Sequence, residues 1–365
     1  MMPRRTSVLA ALLVAVLAGC SGGSHSVPPA SRGADGLQNG TAASRSLSGV
    51  RATGTLYYAD TSNAYALPLT SKGASTATRT ITPHPENQGI NTGLATNVDG
   101  TLDVLQNYFD DTGEHCRVTV EPADANGSPT ASDVQCDTVP STQGDGVARN
   151  YFGGFDILYN TPDTFIVKRF ANDGALAKRT LTLGPPGFAG LYLGTDPGGH
   201  DYLVNSGGEI REYTRHETSV DAPVADCTVS AYYGDGPLTV ARDKTIYLMV
   251  RGGDTLANSS IEAITTCGTS GPATVSRTIG PFPNSYISAM AVDDQGALYV
   301  GLNSLDGASP STIAVFDKTA NGAPAPKRVI APSPATNYIR GLATWEPPAT
   351  PAPSPTPSPA PSPTP

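Results

Sequence analysis

Three observations predict an all-β chain folded as a six-bladed propeller, closed by a C-terminal strand that completes the first blade. The first is a repeated hairpin. Ala289 to Val300, AMAVDDQGALYV, reads as an apolar strand, a tight turn and a second apolar strand. Nearly the same text stands at Gly93 to Val104, GLATNVDGTLDV, and a looser copy at Leu238 to Leu248, LTVARDKTIYL. The second is spacing. Inner strands starting near Gly93, Val147, Leu191, Pro237, Ala289 and Gly341 are 54, 44, 46, 52 and 52 residues apart, room for about four strands each. The third is a mismatch at the two ends. GTLYYADTSNAYALPL from Gly54 lacks an inner strand before it, and GLATW from Gly341 lacks a blade after it. Pairing the two removes open edges that would invite aggregation.

The last blade carries the full pattern: AMAVDD, GALYVGLN, STIAVFDK and PKRVIAP. Leu298 and Val300 share one face with Tyr299 on the other, and Ile313 and Val315 alternate with Ala314 and Phe316, as strands packed between neighbours require. The hairpin is weakest in blades three and four, where Gly153-Gly154 and Gly198-Gly199 carry the turn. The outermost strand recurs as Arg79-Thr80-Ile81, Arg179-Thr180-Leu181, Arg277-Thr278-Ile279 and Arg328-Val329-Ile330. Its aliphatic residue is expected between blades and its arginine on the outer rim. Tyr57-Tyr58 and Tyr232-Tyr233 are each expected to give one ring to the core and one to a blade surface. No amphipathic helix of three turns is legible after residue 50.

The chain has 365 residues and a formal net charge of -9. An acidic surface argues against non-specific nucleic-acid binding. Residues 1–20 form a targeting segment: Arg4 and Arg5, then an apolar run from Val8 to Leu17 that is too short to span a bilayer comfortably. It ends in Leu17-Ala18-Gly19-Cys20, which resembles the lipobox of bacterial lipoproteins. That resemblance implies cleavage before Cys20, lipid on its thiol and, with Ser21 next, attachment at the outer membrane or cell surface. Residues 21–50 are Gly-, Ser- and Ala-rich and read as a flexible tether. The ring spans 51–346. Residues 347–365 are a proline-rich tail that disfavours a packed core. The expected partners are the membrane, through Cys20, and an envelope protein or glycan; the ring is expected to be monomeric.

Four cysteines follow Cys20. In an exported chain they read as a disulfide set, for which Cys116–Cys136 and Cys227–Cys267 close the shortest loops. No C-x-x-C spacing or histidine cluster favours zinc.

The Asp-Gly or Asp-Gln-Gly hairpin followed by LYV, with a second hairpin ending in RTI, resembles NHL-type and related six-bladed propellers. The resemblance covers most of 51–346. It includes sugar-lactone hydrolases, streptogramin lyases and pure binding modules, so it implies a fold and leaves function open. Two expectations follow. One is a lipid-anchored binding or protein-interaction scaffold needing no cofactor. The alternative is a metal-dependent hydrolase or lyase, with Ca2+ as its cofactor.

Aligning the blades places Asp60, Asn107, Asn160, Asn205, Arg251 and Asn303 at the outgoing ends of the second strands. They could line one face and bind a hard cation or a sugar, or cap the turns there. The acidic loop Asp110-Asp111-Thr112-Gly113-Glu114 lacks full calcium-loop spacing. His84, His115, His200 and His216 share no spacing, and no nucleophile elbow, H-E-x-x-H or phosphate loop occurs. No catalytic residue and no metal ligand is assigned.

Overall fold

The structure is a computed structural model that describes residues 54–84, 89–129, 132–137, 141–171, 179–183, 190–205, 208–214, 220–221, 223–230, 234–252, 258–265 and 270–348. The targeting segment with Cys20, the tether, the tail beyond Pro348, His216, Tyr232-Tyr233 and Cys267 lie outside the described residues.

The described chain is all strand. Blade one holds β1 (Thr55–Ala59), β2 (Ala64–Pro68), β3 (Gly73–Thr76) and β4 (Arg79–Ile81). Blade two holds β5 (Ile90–Thr96), β6 (Leu102–Asp110), β7 (Gly113–Glu121) and β8 (Ser132–Gln135). Blade three holds β9 (Gln143–Arg149), β10 (Phe155–Asn160), β11 (Phe165–Phe170) and β12 (Arg179–Thr182). Blade four holds β13 (Gly190–Thr195), β14 (Asp201–Asn205), β15 (Glu209–Tyr213), β16 (Val220–Asp221) and β17 (Cys227–Ser230). Blade five holds β18 (Gly234–Val240), β19 (Ile246–Val250), β20 (Ser260–Ile264), β21 (Gly271–Pro272) and β22 (Val275–Ile279). Blade six holds β23 (Ser285–Val292), β24 (Leu298–Ser304), β25 (Thr312–Phe316) and β26 (Arg328–Ser333), and β27 (Gly341–Trp345) ends the ring.

Closure is as the sequence predicts. The first sheet runs β27-β1-β2-β4, and β27 lies antiparallel to β1, with Thr55 opposite Trp345 and Ala59 opposite Gly341. Inner strands touch in ring order, β27 to β5, β9, β13, β18, β23 and back to β27.

One feature has no counterpart in the sequence pattern. In five blades, the connection between the third and fourth strands reaches back to the outer edge of the preceding blade; in blade three it lies outside the described residues. At these edges β3 pairs in parallel with β26, β16 with β12 and β21 with β17. Single bridges do the same between Gly127 and Ile81 and between Gly322 and Ile279. Outer edges are thereby occupied by neighbouring chain.

The core is six wedges rather than one centre. Each hydrophobic cluster joins residues of two adjacent blades; one holds Leu56, Tyr58, Tyr299 and Val315, another Tyr57, Ala66, Leu94 and Val104. A second strand therefore buries both faces, which corrects the reading of the tyrosine pair: Tyr57 and Tyr58 are both buried, in opposite wedges.

The first hairpins share one backbone device. Gly100, Gly153, Gly199 and Gly296 stand two residues before the start of the second strand with φ of 90°, 90°, 80° and 86°; blade five places Lys244 there with φ 69°. The left-handed region explains the recurring glycine and the looser copy LTVARDKTIYL.

Cys116 and Cys136 form a disulfide, with Cα atoms 5.5 Å apart, that ties β7 to the end of β8. In the chain-entropy picture such a loop is worth about 3 kcal/mol. Cys227 is also disulfide-bonded; its expected partner Cys267 lies outside the described residues.

Candidate functional site

The inner strands line a central channel with a cavity volume of about 110 Å3. Its waist is aliphatic, with Leu94, Val147, Leu193, Leu238, Met290 and Leu342 each contributed by one blade. Small-molecule pockets usually occupy ~300 Å3 or more. The channel has room for a small group, and a larger ligand would have to sit at a mouth.

Two residues further along, the inner strands present Thr96, Arg149, Thr195, Val240, Val292 and Thr344. The threonines stitch the ring. Thr96 Oγ1 donates to Thr344 O at 2.7 Å, Thr344 Oγ1 to Val292 O at 2.9 Å, and Thr195 Oγ1 to Arg149 O. Each hydroxyl thus reaches the carbonyl of the corresponding residue in the preceding blade.

Arg149 takes the threonine position in blade three. Its guanidinium lies 4.7 Å from the Tyr151 ring centroid, and its Nη1 is 4.0 Å from Asp294 Oδ1. Its Nε is buried with no hydrogen-bond partner. Asp294 in turn lies 4.0 Å from Arg242 Nη1. These residues come from the first hairpins of blades three, five and six. Burial raises the Tyr151 phenol above its ordinary pKa, opposed by Arg149 and Arg242. Nearby in blades four and five, Lys244 Nζ and His200 Nδ1 each lie 3.1 Å from Asp196 Oδ2. The mouth therefore holds cations and carboxylates at separations that leave donor capacity, with an aromatic ring beneath one cation. That arrangement can hold a polar ligand. Among the described residues, no group of three or more His, Cys, Asp or Glu could hold a metal ion.

Sequence reading missed this mouth, although a signal was present. The inner strands read GLATN, GLATW and GVARN; comparing the copies exposes a charge where the others carry threonine.

The six residues expected at the second-strand ends divide by role. Asp60 Oδ1 accepts from the Ser62 and Asn63 amides, both at 2.8 Å, and Asn205 Oδ1 accepts from the Glu209 amide at 2.8 Å; these side chains cap turns. Asn107 and Asn303 clamp blades. Asn107 Nδ2 donates to Gly144 O at 3.1 Å while its Oδ1 accepts from Gly144 N at 2.8 Å. Asn303 does the same to Ile339, at 3.3 and 2.9 Å. A carboxamide supplies one donor and one acceptor, as a strand residue does. Asn160 Nδ2 donates to Asp145 Oδ2 at 3.0 Å. Arg251 follows β19. The six align within one position, with Asp60 and Asn205 one residue earlier than the other four, and Asp60, Asn107, Asn160, Asn205 and Asn303 spend polar atoms on the protein's own groups.

The rim arginines are also clamps. Arg328 Nη2 donates to the Tyr299 hydroxyl at 2.9 Å and Nη1 to Leu69 O of the next blade at 2.7 Å. Arg79 makes the same pair of contacts with Tyr57 at 2.8 Å and with Ala123 O, and Arg277 bonds the Tyr247 hydroxyl at 3.0 Å. Arg179 departs from the expected rim position. It is buried against Asp201, because this wedge holds carboxylates where Arg79, Arg277 and Arg328 meet tyrosine. Of the histidines, His84 pairs with Asp133 at 2.7 Å and His115 with Asp110 at 3.2 Å. The acidic loop is a hairpin turn in which Asp110 Oδ1 accepts from the Thr112 amide at 2.8 Å.

No family model and no curated protein sequence matches the chain. Solved structures do. A protein of unknown function from Bacteroides caccae superposes with a TM-score of 0.56 at 8% identity, covering 80% of this chain and 99% of that one. The WD40 domain of Toxoplasma gondii coronin gives 0.42 at 12% identity, covering 79% and 69%. At such identity the first likeness shows the fold alone, and the chain is a six-bladed β-propeller.

Proposed function

We propose that this propeller is a binding module of the cell envelope, lipid-anchored through Cys20, whose first-hairpin mouth receives a small ligand bearing a carboxylate or similar anionic group. The observation that carries this reading is Arg149, a cation at a position where three blades place a stitching threonine, with a buried Nε lacking a partner. An Asp294 contact of 4.0 Å is too long for a direct hydrogen bond. A planar anion inserted there would gain paired charge-assisted bonds from the guanidinium. The neighbouring Asp294 disfavours a bare polyanion and favours a ligand that also carries a donor, such as a sugar acid or an amino acid.

The NHL-type resemblance fits such a module, and the lipobox-like segment fits its display at the envelope, with the outer membrane as the proposed site. The test is thermal unfolding against a panel of sugar acids and amino acids. A ligand at 100 times its Kd stabilises by about 2.7 kcal/mol. That stabilisation is expected in the parent and absent in Arg149→Thr, which restores the stitch. Equal shifts in both proteins would remove Arg149 from the site and overturn the reading. For the anchor, Cys20→Ser should move the protein from the membrane fraction to the soluble one.

A further inference from the structure

A second concavity lies on the side of the ring, between blades five and six. Its volume is about 250 Å3, and its lining includes Pro281, Phe282, Phe316, Pro324, Pro326 and Val329, with no charged residue. Phe282 and Phe316 meet edge to face, ring centroids 5.8 Å apart at 70°. Val329 is 44% exposed. An uncharged groove walled by aromatic rings and prolines suits an extended proline-rich segment, which loses little entropy when it docks because its backbone is already restricted.

We infer that the occupant is this chain's own tail, residues 351–365, PAPSPTPSPAPSPTP. It has proline at every second position and no charged side chain, which matches the groove. The path also matches. Pro347 lines a cleft of about 840 Å3 together with Val315, Asp317, Lys318 and Lys327. The far side of the same blade-six connection supplies Pro324 and Pro326 to the groove. The chain therefore leaves the ring beside the segment whose other side forms the groove wall. The 18 residues after Pro347 reach ~56 Å at ~3.1 Å per residue in polyproline geometry, more than a blade is wide. A tether of this kind holds its segment at roughly millimolar effective concentration, so a weak contact would be filled.

The test is photo-crosslinking in the full chain with Val329→p-benzoylphenylalanine. The last Lys or Arg is Arg340, so trypsin releases the tail as one peptide, 341–365. The expected product joins that peptide to the one containing position 329, within a single copy when light and heavy isotope-labelled proteins are mixed. The same probe at Phe109, 72% exposed on blade two, should not give it, and deletion of 349–365 should abolish it. Mixed-isotope products would assign the groove to the tail of a second copy and overturn docking within one chain. Absence of any link to 341–365, or equal linking from position 109, would overturn the inference altogether. Because Val329 and Phe109 are exposed, neither probe is expected to disturb folding.

Discussion

Blades three and six build the same wedge from different chemistry. In blade six, the position one residue into the second strand is Tyr299. Its hydroxyl donates to Asp293 Oδ2 at 3.2 Å and accepts from Arg328 at 2.9 Å. Blade three places Asp156 there, fully buried, held by Arg169 Nε at 2.7 Å and Nη2 at 2.6 Å. Arg169 also approaches Asp201 at 3.5 Å, and Asp201 contacts Arg179. One wedge thus carries an aromatic body with a polar tip, the other two arginines and two aspartates with no net charge. The repeat keeps backbone geometry and burial, while the side chains that fill the position change between an aromatic ring and paired charges.

The largest effect should follow from unbalancing the blade-three wedge. Arg169→Met leaves Asp156 buried without its main partner. Breaking one half of a buried pair costs roughly 3–5 kcal/mol. The companion Asp156→Leu/Arg169→Met variant should recover most of that loss, since apolar replacement of both halves is often near neutral. Denaturant unfolding of the two variants checks this. If the double variant is as unstable as the single one, the charges do more than fill the space that Tyr299 fills in blade six.

Blade two sharpens the contrast, because three of its buried carboxylate oxygens have no hydrogen-bond partner. Its counterpart of Tyr299 is Asp103, fully buried with Oδ1 unpartnered, and burial raises its carboxyl well above the ordinary range. Both carboxylate oxygens of the buried Glu121 also lack partners, and burial, then Asp133, raises its pKa from 4.5 to about 7. The folded state therefore binds that proton more tightly than the unfolded chain. Stability from protonated Glu121 is fully present below about pH 4.5 and lost as pH rises to about 7. Glu121→Gln should be more stable than the parent at pH 8, by on the order of 2–3 kcal/mol, and the gap should close toward pH 4. A gap that does not change with pH would mean Glu121 does not titrate in this range.

The ring, its count of blades and its closure were legible because hairpin spacing and turn glycines are local signals. The wedge chemistry was not. Asp156 and Asp103 look like solvent-facing residues of a half-buried strand, and only the knowledge that both faces pack on neighbours makes them buried. Arg179 misled for the same reason: the Arg-Thr-Leu text matches Arg-Thr-Ile elsewhere, yet Asp201 of the next blade draws it inside. The blade-to-blade contacts of Asn107 and Asn303 join residues 37 and 36 positions apart, beyond any periodicity. Arg149 was readable in principle, since a charge at a threonine position stands out once the copies are compared.

The smallest effect tests whether the tyrosine tips merely satisfy neighbours. Tyr299→Phe keeps the ring body and removes the hydroxyl that links Asp293 Oδ2 to Arg328. Asp293 Oδ1 retains bonds from the Gln295 and Ala297 amides, at 3.0 and 2.8 Å, and Arg328 retains Leu69 O and Ser71 O, at 2.7 and 3.1 Å. Arg328 stays partnered, and Asp293 lines a cleft of about 840 Å3, where water can replace the bond that Oδ2 loses, so the cost should be about 1 kcal/mol, the net worth of an ordinary hydrogen bond. Tyr57→Phe should behave alike, because Arg79 keeps its bonds to Ala123 O and Ala125 O. Chemical denaturation of both variants decides the point. A loss at Tyr299 as large as that of Arg169→Met would make the blade-six relay a coupled network like the charged wedge, and the two blades would then differ in composition but not in how tightly they bind their neighbours.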